Sequence, residues 1–131
     1  MKKFIFLMVF ASLSACTSTS KLAEDGDPVP ASRLYGYLKK SDAQLVVIHD
    51  SVLDGGCMIR LSIDGKPAAD IFNGEIAHFG VTIGTHKLVA RPLTKCKKSE
   101  LSEEAINVKA GDALLRRIAG TAIQSIPLPS Q

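Results

Sequence analysis

The sequence predicts an all-β chain, an antiparallel β-sandwich of about seven to nine short strands. Three observations predict it. Short stretches that are β-branched or alternate apolar with polar recur along residues 33–129, with Gly-containing turns between them. "MIRLSI" (58–63) alternates cleanly, with Ile59, Leu61 and Ile63 on one face and Met58, Arg60 and Ser62 on the other. The one region that invites a helix, 101–119, is broken by Gly111 and holds the β-rich "INV".

Each element has its own reason. "RLYGYLKK" (33–40) alternates and carries two Tyr, so it reads as a strand. "AQLVVIHDS" (43–51) is β-branched and mostly apolar, as expected of a buried strand. "LDGG" (53–56) is a turn, followed by 58–63. "PAADIF" (67–72), "EIAHFGVTI" (75–83) and "GTHKLVAR" (84–91) follow, separated by "DGK", "NG" and Gly84. A charged loop, 92–102, leads to "EEAINVKAG" (103–111), "DALLRRIAG" (112–120) and "TAIQSIPLP" (121–129). No internal repeat is visible.

Side-chain parity tests the two hairpin turns. A two-residue loop at 64–65 sets Ile59 against Asp70 and puts a carboxylate on the core face. A three-residue loop at 64–66 sets Leu61 against Ala69 and Ile59 against Ile71. A one-residue slip flips a whole strand, so the apolar faces decide for three residues. The same logic at 73–75 sets Ile71 against Ala77 and Ala69 against Phe79.

The start of the chain gives location. Lys2 and Lys3 precede an apolar run, Phe4 to Leu13, broken only by Ser12. Ten helical residues rise about 15 Å, too short to span a bilayer and suited to a secretory leader. "LSAC" (13–16) then resembles the bacterial lipobox. The resemblance implies cleavage between Ala15 and Cys16, with Cys16 acylated on its thiol and its new amine. A thiol is needed because the thiolate is the nucleophile that takes the lipid. Several acyl chains hold a membrane stably where a single one does not. Thr17, rather than an Asp, favours the outer membrane by the same resemblance. Residues 1–15 are therefore read as a signal peptide. Residues 16–32, with "TSTSKLAEDGDPVPAS" after the cysteine, read as a lipidated flexible tether. The β domain is expected over 33–131.

Charge and aromatic content narrow the partners. The chain has 16 basic and 13 acidic side chains. Without Lys2 and Lys3 the balance is 14 to 13, which gives no basis for nucleic-acid binding. There is no Trp, and three of five Phe lie in the leader. A sugar-stacking or base-stacking platform is thus poorly supplied, and no small-molecule substrate is expected.

With Cys16 lipidated, Cys57 and Cys96 remain, and in an oxidising compartment the pair reads as a disulfide. It would close a loop of about 40 residues, worth roughly 4 kcal/mol in the chain-entropy model. No Cys-x-x-Cys supports a redox role. His49, His78 and His86 lack the spacing of a local ligand pair, so neither metal nor cofactor is expected. Parity places His78 in solvent. Ser51, Ser62 and Ser99 lack a nucleophile context. "KCKK" (Lys95 to Lys98) and Arg116-Arg117 are short basic clusters. They read as edge or loop charge, or as contacts to anionic headgroups or an acidic partner.

The pattern from Cys57 onward, above all "IDGKPAA" (63–69) with "IGTHKL" (83–88), is similar to small bacterial lipoproteins whose domains resemble PEGA-like and transthyretin-like β-sandwiches. The resemblance covers roughly 33–129 and implies a fold and an envelope location. The chain departs from it at Ile83, where a Pro would precede Gly84. It implies no catalytic residue, so a non-enzymatic binding or structural lipoprotein is expected, anchored at Cys16 and facing the periplasm with an envelope protein as partner. The alternatives are an accessory lipoprotein of a secretion or envelope assembly machine, and an enzyme, which no constellation supports.

Replacing the lipidated thiol tests the anchor. Cys16→Ser should abolish metabolic palmitate labelling and move the protein to the soluble fraction. Unchanged membrane retention would refute the lipobox.

Overall fold

The computed structural model describes residues 26–37, 39–50, 57–93, 101–120 and 122–126. They contain nine strands and no α-helix. The strands are β1 (Asp27–Pro28), β2 (Ala43–His49), β3 (Ile59–Ile63), β4 (Lys66–Ile71), β5 (Glu75–Val81), β6 (Gly84–Pro92), β7 (Ser102–Val108), β8 (Ala113–Ala119) and β9 (Ala122–Ser125). A single 3-10 turn spans Ala31–Arg33. Two sheets result, β1-β5-β2-β8-β9 and β4-β3-β6-β7. The all-β sandwich expectation holds, with one qualification. The five-stranded sheet is mixed, because β2 runs parallel to β8 and β1 parallel to β5.

Inward alternation builds the core. Leu45 and Val47 of β2, Ile59, Leu61 and Ile63 of β3, Phe79 of β5, Leu88 of β6, Ile106 of β7 and Ile118 of β8 are all buried in one cluster. A fully buried side chain of this size is worth about 1.5–3 kcal/mol relative to exposure, so the cluster is the principal favourable contribution to folding.

The first hairpin has the expected pairing and an unexpected turn. Leu61 faces Ala69 and Ile59 faces Ile71. The loop, however, is two residues long: Ile63 pairs with Lys66, and Asp64 and Gly65 have φ of 52° and 78°. Those angles suit the two-residue turn that matches strand twist. Parity is restored by a β-bulge, since Leu61 pairs with Ala69 while Ser62 pairs with Pro67, leaving Ala68 extra. Ala68 and Ala69 are consequently both buried.

The second expected hairpin does not form. β4 and β5 lie in different sheets, and β5 pairs with β2 instead. Asn73-Gly74 is a corner between sheets, where the Gly74 N–H donates to the His49 carbonyl at 2.7 Å. The inward faces survive, with Ile71, Ala77 and Phe79 all buried.

The start of the packed domain also moves. It was expected near Arg33, yet Asp27 and Pro28 already pair with Glu75 and Ile76, and Val29 is 5% exposed. Residues 26–32 therefore belong to the sandwich rather than to a tether. The strand expected over 33–40 is reduced to one bridge, Leu34 with Ala69. Tyr37, with φ 63°, cannot continue an extended run. Its hydroxyl donates to the Ile63 carbonyl at 2.9 Å. Together these residues form a strap. It pairs with the β5 edge of one sheet, bridges to the β4 edge of the other, and closes that side of the sandwich.

Gly80 sets how closely the strap approaches. A Cβ there would stand 1.8 Å from the Lys39 carbonyl oxygen, a backbone atom with little freedom to move. Gly80→Ala should thus cost about 1–3 kcal/mol, as overpacking typically does, and lower the melting temperature by about 4 °C or more. Thermal denaturation followed by circular dichroism measures it, and an unchanged midpoint would show the strap to be loosely held.

Candidate functional site

Ala15, Cys16, Ser51, Lys95 to Lys98 (Cys96 among them) and Ser99 lie outside the described residues. Cys57 is buried and disulfide-bonded; Cys96, the partner the sequence names, is among those outside. His78 is exposed. Among the described residues no group of three His, Cys, Asp or Glu side chains converges as metal ligands. No described helix is long and apolar enough to cross a membrane.

The two remaining histidines are buried in opposite environments. His49 is wholly enclosed. Its Nδ1 lies 3.1 Å from the Ile71 carbonyl, and its Nε2 lies 3.3 Å from Asn73 Nδ2. One nitrogen faces an acceptor and the other a donor, the pattern of a neutral ring. Burial accordingly lowers its pKa. Asn73 also donates to the Asp50 carbonyl at 2.7 Å and accepts the Cys57 N–H at 2.5 Å, so it ties the inter-sheet corner together.

His86 faces acceptors on both sides. Nδ1 is 2.6 Å from Asp64 Oδ2, and Nε2 is 2.7 Å from the Thr82 carbonyl. Both contacts are satisfied together only when each ring nitrogen carries a proton, so the site favours the imidazolium. The Asp64 hydrogen bond raises the His86 pKa, and the same bond, helped by the Lys87 N–H, lowers that of Asp64. Thr82 Oγ1 stands 3.3 Å from Nε2, which gives Thr82, His86 and Asp64 the connectivity of a nucleophile–base–acid triad. The geometry defeats that reading. A general base must present a lone pair to the hydroxyl, and here Nε2 carries a proton directed at a carbonyl.

A charged clasp fastens the strap. Arg33 grips Glu75 through both carboxylate oxygens, at 2.5 and 2.7 Å, and donates to the Asp70 carbonyl at 3.0 Å. Arg60 grips Asp70 the same way, at 2.8 and 3.0 Å. The Tyr35 hydroxyl donates to Asp70 at 2.6 Å, and the Arg60 guanidinium lies 5.5 Å from the Tyr35 ring centre. Burial pushes the Asp70 carboxyl up, but the bonds from Arg60 and Tyr35 and the charges of Arg60 and Arg33 more than offset it, and its pKa is lowered. Glu75 is held low chiefly by Arg33. The Arg60–Asp70 pair follows from the register that sets Ile59 against Ile71. The other members of the clasp carry no sequence signal, because the strap's path is not local.

On the opposite side the sandwich is less covered. Arg116 reaches from β8 to Glu104 of β7 at 3.0 Å, and the Ile123 N–H lies 3.3 Å from Ser102 Oγ. Arg117 sits 3.0 Å from Asp50 but is not aligned as a hydrogen bond. Beyond these contacts, no described strand pairs with the second side of β7. A groove of about 390 Å³ lies over the β6–β7 pair beside the β3–β4 turn, lined by Asp64, Thr85, His86, Lys87, Glu103, Glu104 and Ala105. The edge of β7 that no described strand pairs with is the candidate interaction surface.

Comparison with known proteins adds no relative. No family model, curated protein or solved structure matches the chain.

The His86 clasp predicts a pH signature. A histidine whose folded pKa is raised contributes fully below its unfolded value, about 6.5, and loses that contribution as pH rises through the folded value. Asp64, lowered, contributes above its unfolded value, about 4, and loses it as pH falls. The stability difference between wild type and His86→Gln should therefore be largest near pH 5 and shrink toward pH 9. Urea denaturation across that range reads it. A difference independent of pH would mean that His86 is neutral and merely packed.

Proposed function

We propose that this chain is a non-enzymatic, lipid-anchored lipoprotein of the bacterial cell envelope. Cys16 holds it at the outer membrane, facing the periplasm, and the sandwich captures a protein partner by accepting its strand at β7. The observation that carries the binding mode is the contrast between the two sides of the sandwich. The strap pairs with one pair of edges, while the outer edge of the seven-residue β7 meets no strand among the described residues. Exposed edges are normally guarded by charge. Here Glu103 and Glu104 guard the first half and are engaged by Lys87 and Arg116. The second half, Ala105 to Val108, carries no charge. Main-chain pairing of this kind supplies affinity, and alternating side chains supply selectivity.

The lipobox resemblance at 13–16 supports the anchor, and the disulfide-bonded state of Cys57 suits an oxidising compartment. A photo-crosslinking residue placed at Asn107 in cells should give one defined adduct in the envelope fraction. Ala105→Lys, which restores a charge guard, should abolish the adduct and leave the circular dichroism spectrum unchanged. The same adduct from a crosslinker at His78, on the other sheet, would count against the β7 edge.

A further inference from the structure

Register places two arginines directly opposite each other on the outer face of the four-stranded sheet. Arg60 of β3 pairs with Arg91 of β6, and Ser62 pairs with Val89. Side chains so paired have Cβ atoms about 4.5–5.5 Å apart, and like charges there repel. Asp70 occupies Nε and Nη2 of Arg60, on the side away from β6. Nη1 of Arg60 keeps its donors. Arg91 is exposed and makes no ion pair or side-chain hydrogen bond among the described residues. The Ser62 hydroxyl is likewise unengaged. Between them lies a hollow of about 200 Å³ lined by Arg60, Ser62, Gly65, Pro67, Val89 and Arg91.

We propose that this hollow is a binding site for a small oxyanion of the phosphate class, held between Arg60 and Arg91 with the Ser62 hydroxyl as a further donor. Charge fixes the class, because the hollow offers two guanidinium groups and one hydroxyl, and no carboxylate lines it. Guanidinium forks match phosphate oxygens in plane and spacing. Size limits the ligand, since pockets for drug-sized molecules run from roughly 300 Å³ upward. Asp70 has a second use here. By holding Arg60 at two nitrogens it fixes the remaining donors, so less freedom is lost on binding. The site stands on a different face from the β7 edge and does not depend on that reading.

The ligand source is open between free phosphate and the phosphodiester of a lipid headgroup, and one experiment separates them. The full-length protein in neutral detergent is titrated with inorganic phosphate, and separately with glycerophosphoglycerol, the soluble diester of an anionic headgroup. Arginine side-chain and backbone resonances are followed by NMR, against sodium chloride at matched ionic strength. Saturable shifts centred on Arg60, Ser62 and Arg91 are expected. Arg91→Gln should weaken binding about tenfold or more, the usual effect of losing a charge-assisted bond. Arg91→Lys, which keeps charge but loses the fork, should fall between. Tighter binding of the diester assigns the lipid headgroup, and tighter binding of phosphate assigns the free ion. Shifts reproduced by chloride, or affinity unchanged in Arg91→Gln, would overturn the site.

Discussion

Asp70 is the constraint on which the strap depends. A carboxylate 7% exposed at a sheet edge is costly unless its charge is answered. Arg60 answers it from the neighbouring strand and Tyr35 from the strap, while Arg33 binds the adjacent carbonyl and reaches on to Glu75. The strap therefore binds through polar groups that answer a carboxylate buried in the folded domain. Removing one partner of such a cluster leaves a buried charge uncompensated, which costs more than the pair contributes when intact. This explains how twelve residues with little regular hydrogen bonding, 26–37, hold a defined path. It also explains why the edges they cover differ from β7.

Much of the sandwich was legible in the sequence, because the inward faces are written locally. Ile59, Leu61 and Ile63 announce their face, and burial of Ala69 and Ile71 opposite them fixes the register. The turn was misread because a bulge and a longer loop have the same effect on parity, and only Asp64 and Gly65, both at positive φ, distinguish them. The Asn73-Gly74 corner was misread for a different reason. Turn chemistry specifies a reversal of direction, but it does not specify which sheet the next strand joins. The clasp and the His86 contacts lie further from local reading, since Arg33 and Glu75, or His86 and Asp64, meet only once the strands are in place. The two arginines of the outer face follow from alternation, but their juxtaposition needs the β3–β6 register.

The buried histidines give the domain two opposed responses to protons. His49 is enclosed as a neutral ring, so acid destabilises its site. His86 is enclosed as a cation, so alkali does. Each lies at a junction, His49 at the corner between sheets and His86 where the β3–β4 turn meets the β5–β6 connection. The two losses fall on opposite sides of the ordinary histidine value, about 6.5, so the contribution of the pair is greatest near that pH and declines toward both acid and alkali.

The pairing of β2 has a consequence for the order in which the chain can fold. β2 lies in the middle of its sheet, with β5 on one side and β8 on the other. Gln44 on β2 waits for Ala113, and His49 for Ile118. A parallel partner cannot arrive by a simple hairpin, and every strand of the second sheet lies in the sequence between β2 and β8. Ring closure over such a span is entropically slow and makes early nuclei incomplete. A growing chain that has not yet presented residue 113 has its most apolar strand half satisfied. The second flank of β2 is therefore closed only by a strand that lies more than sixty residues further along the chain.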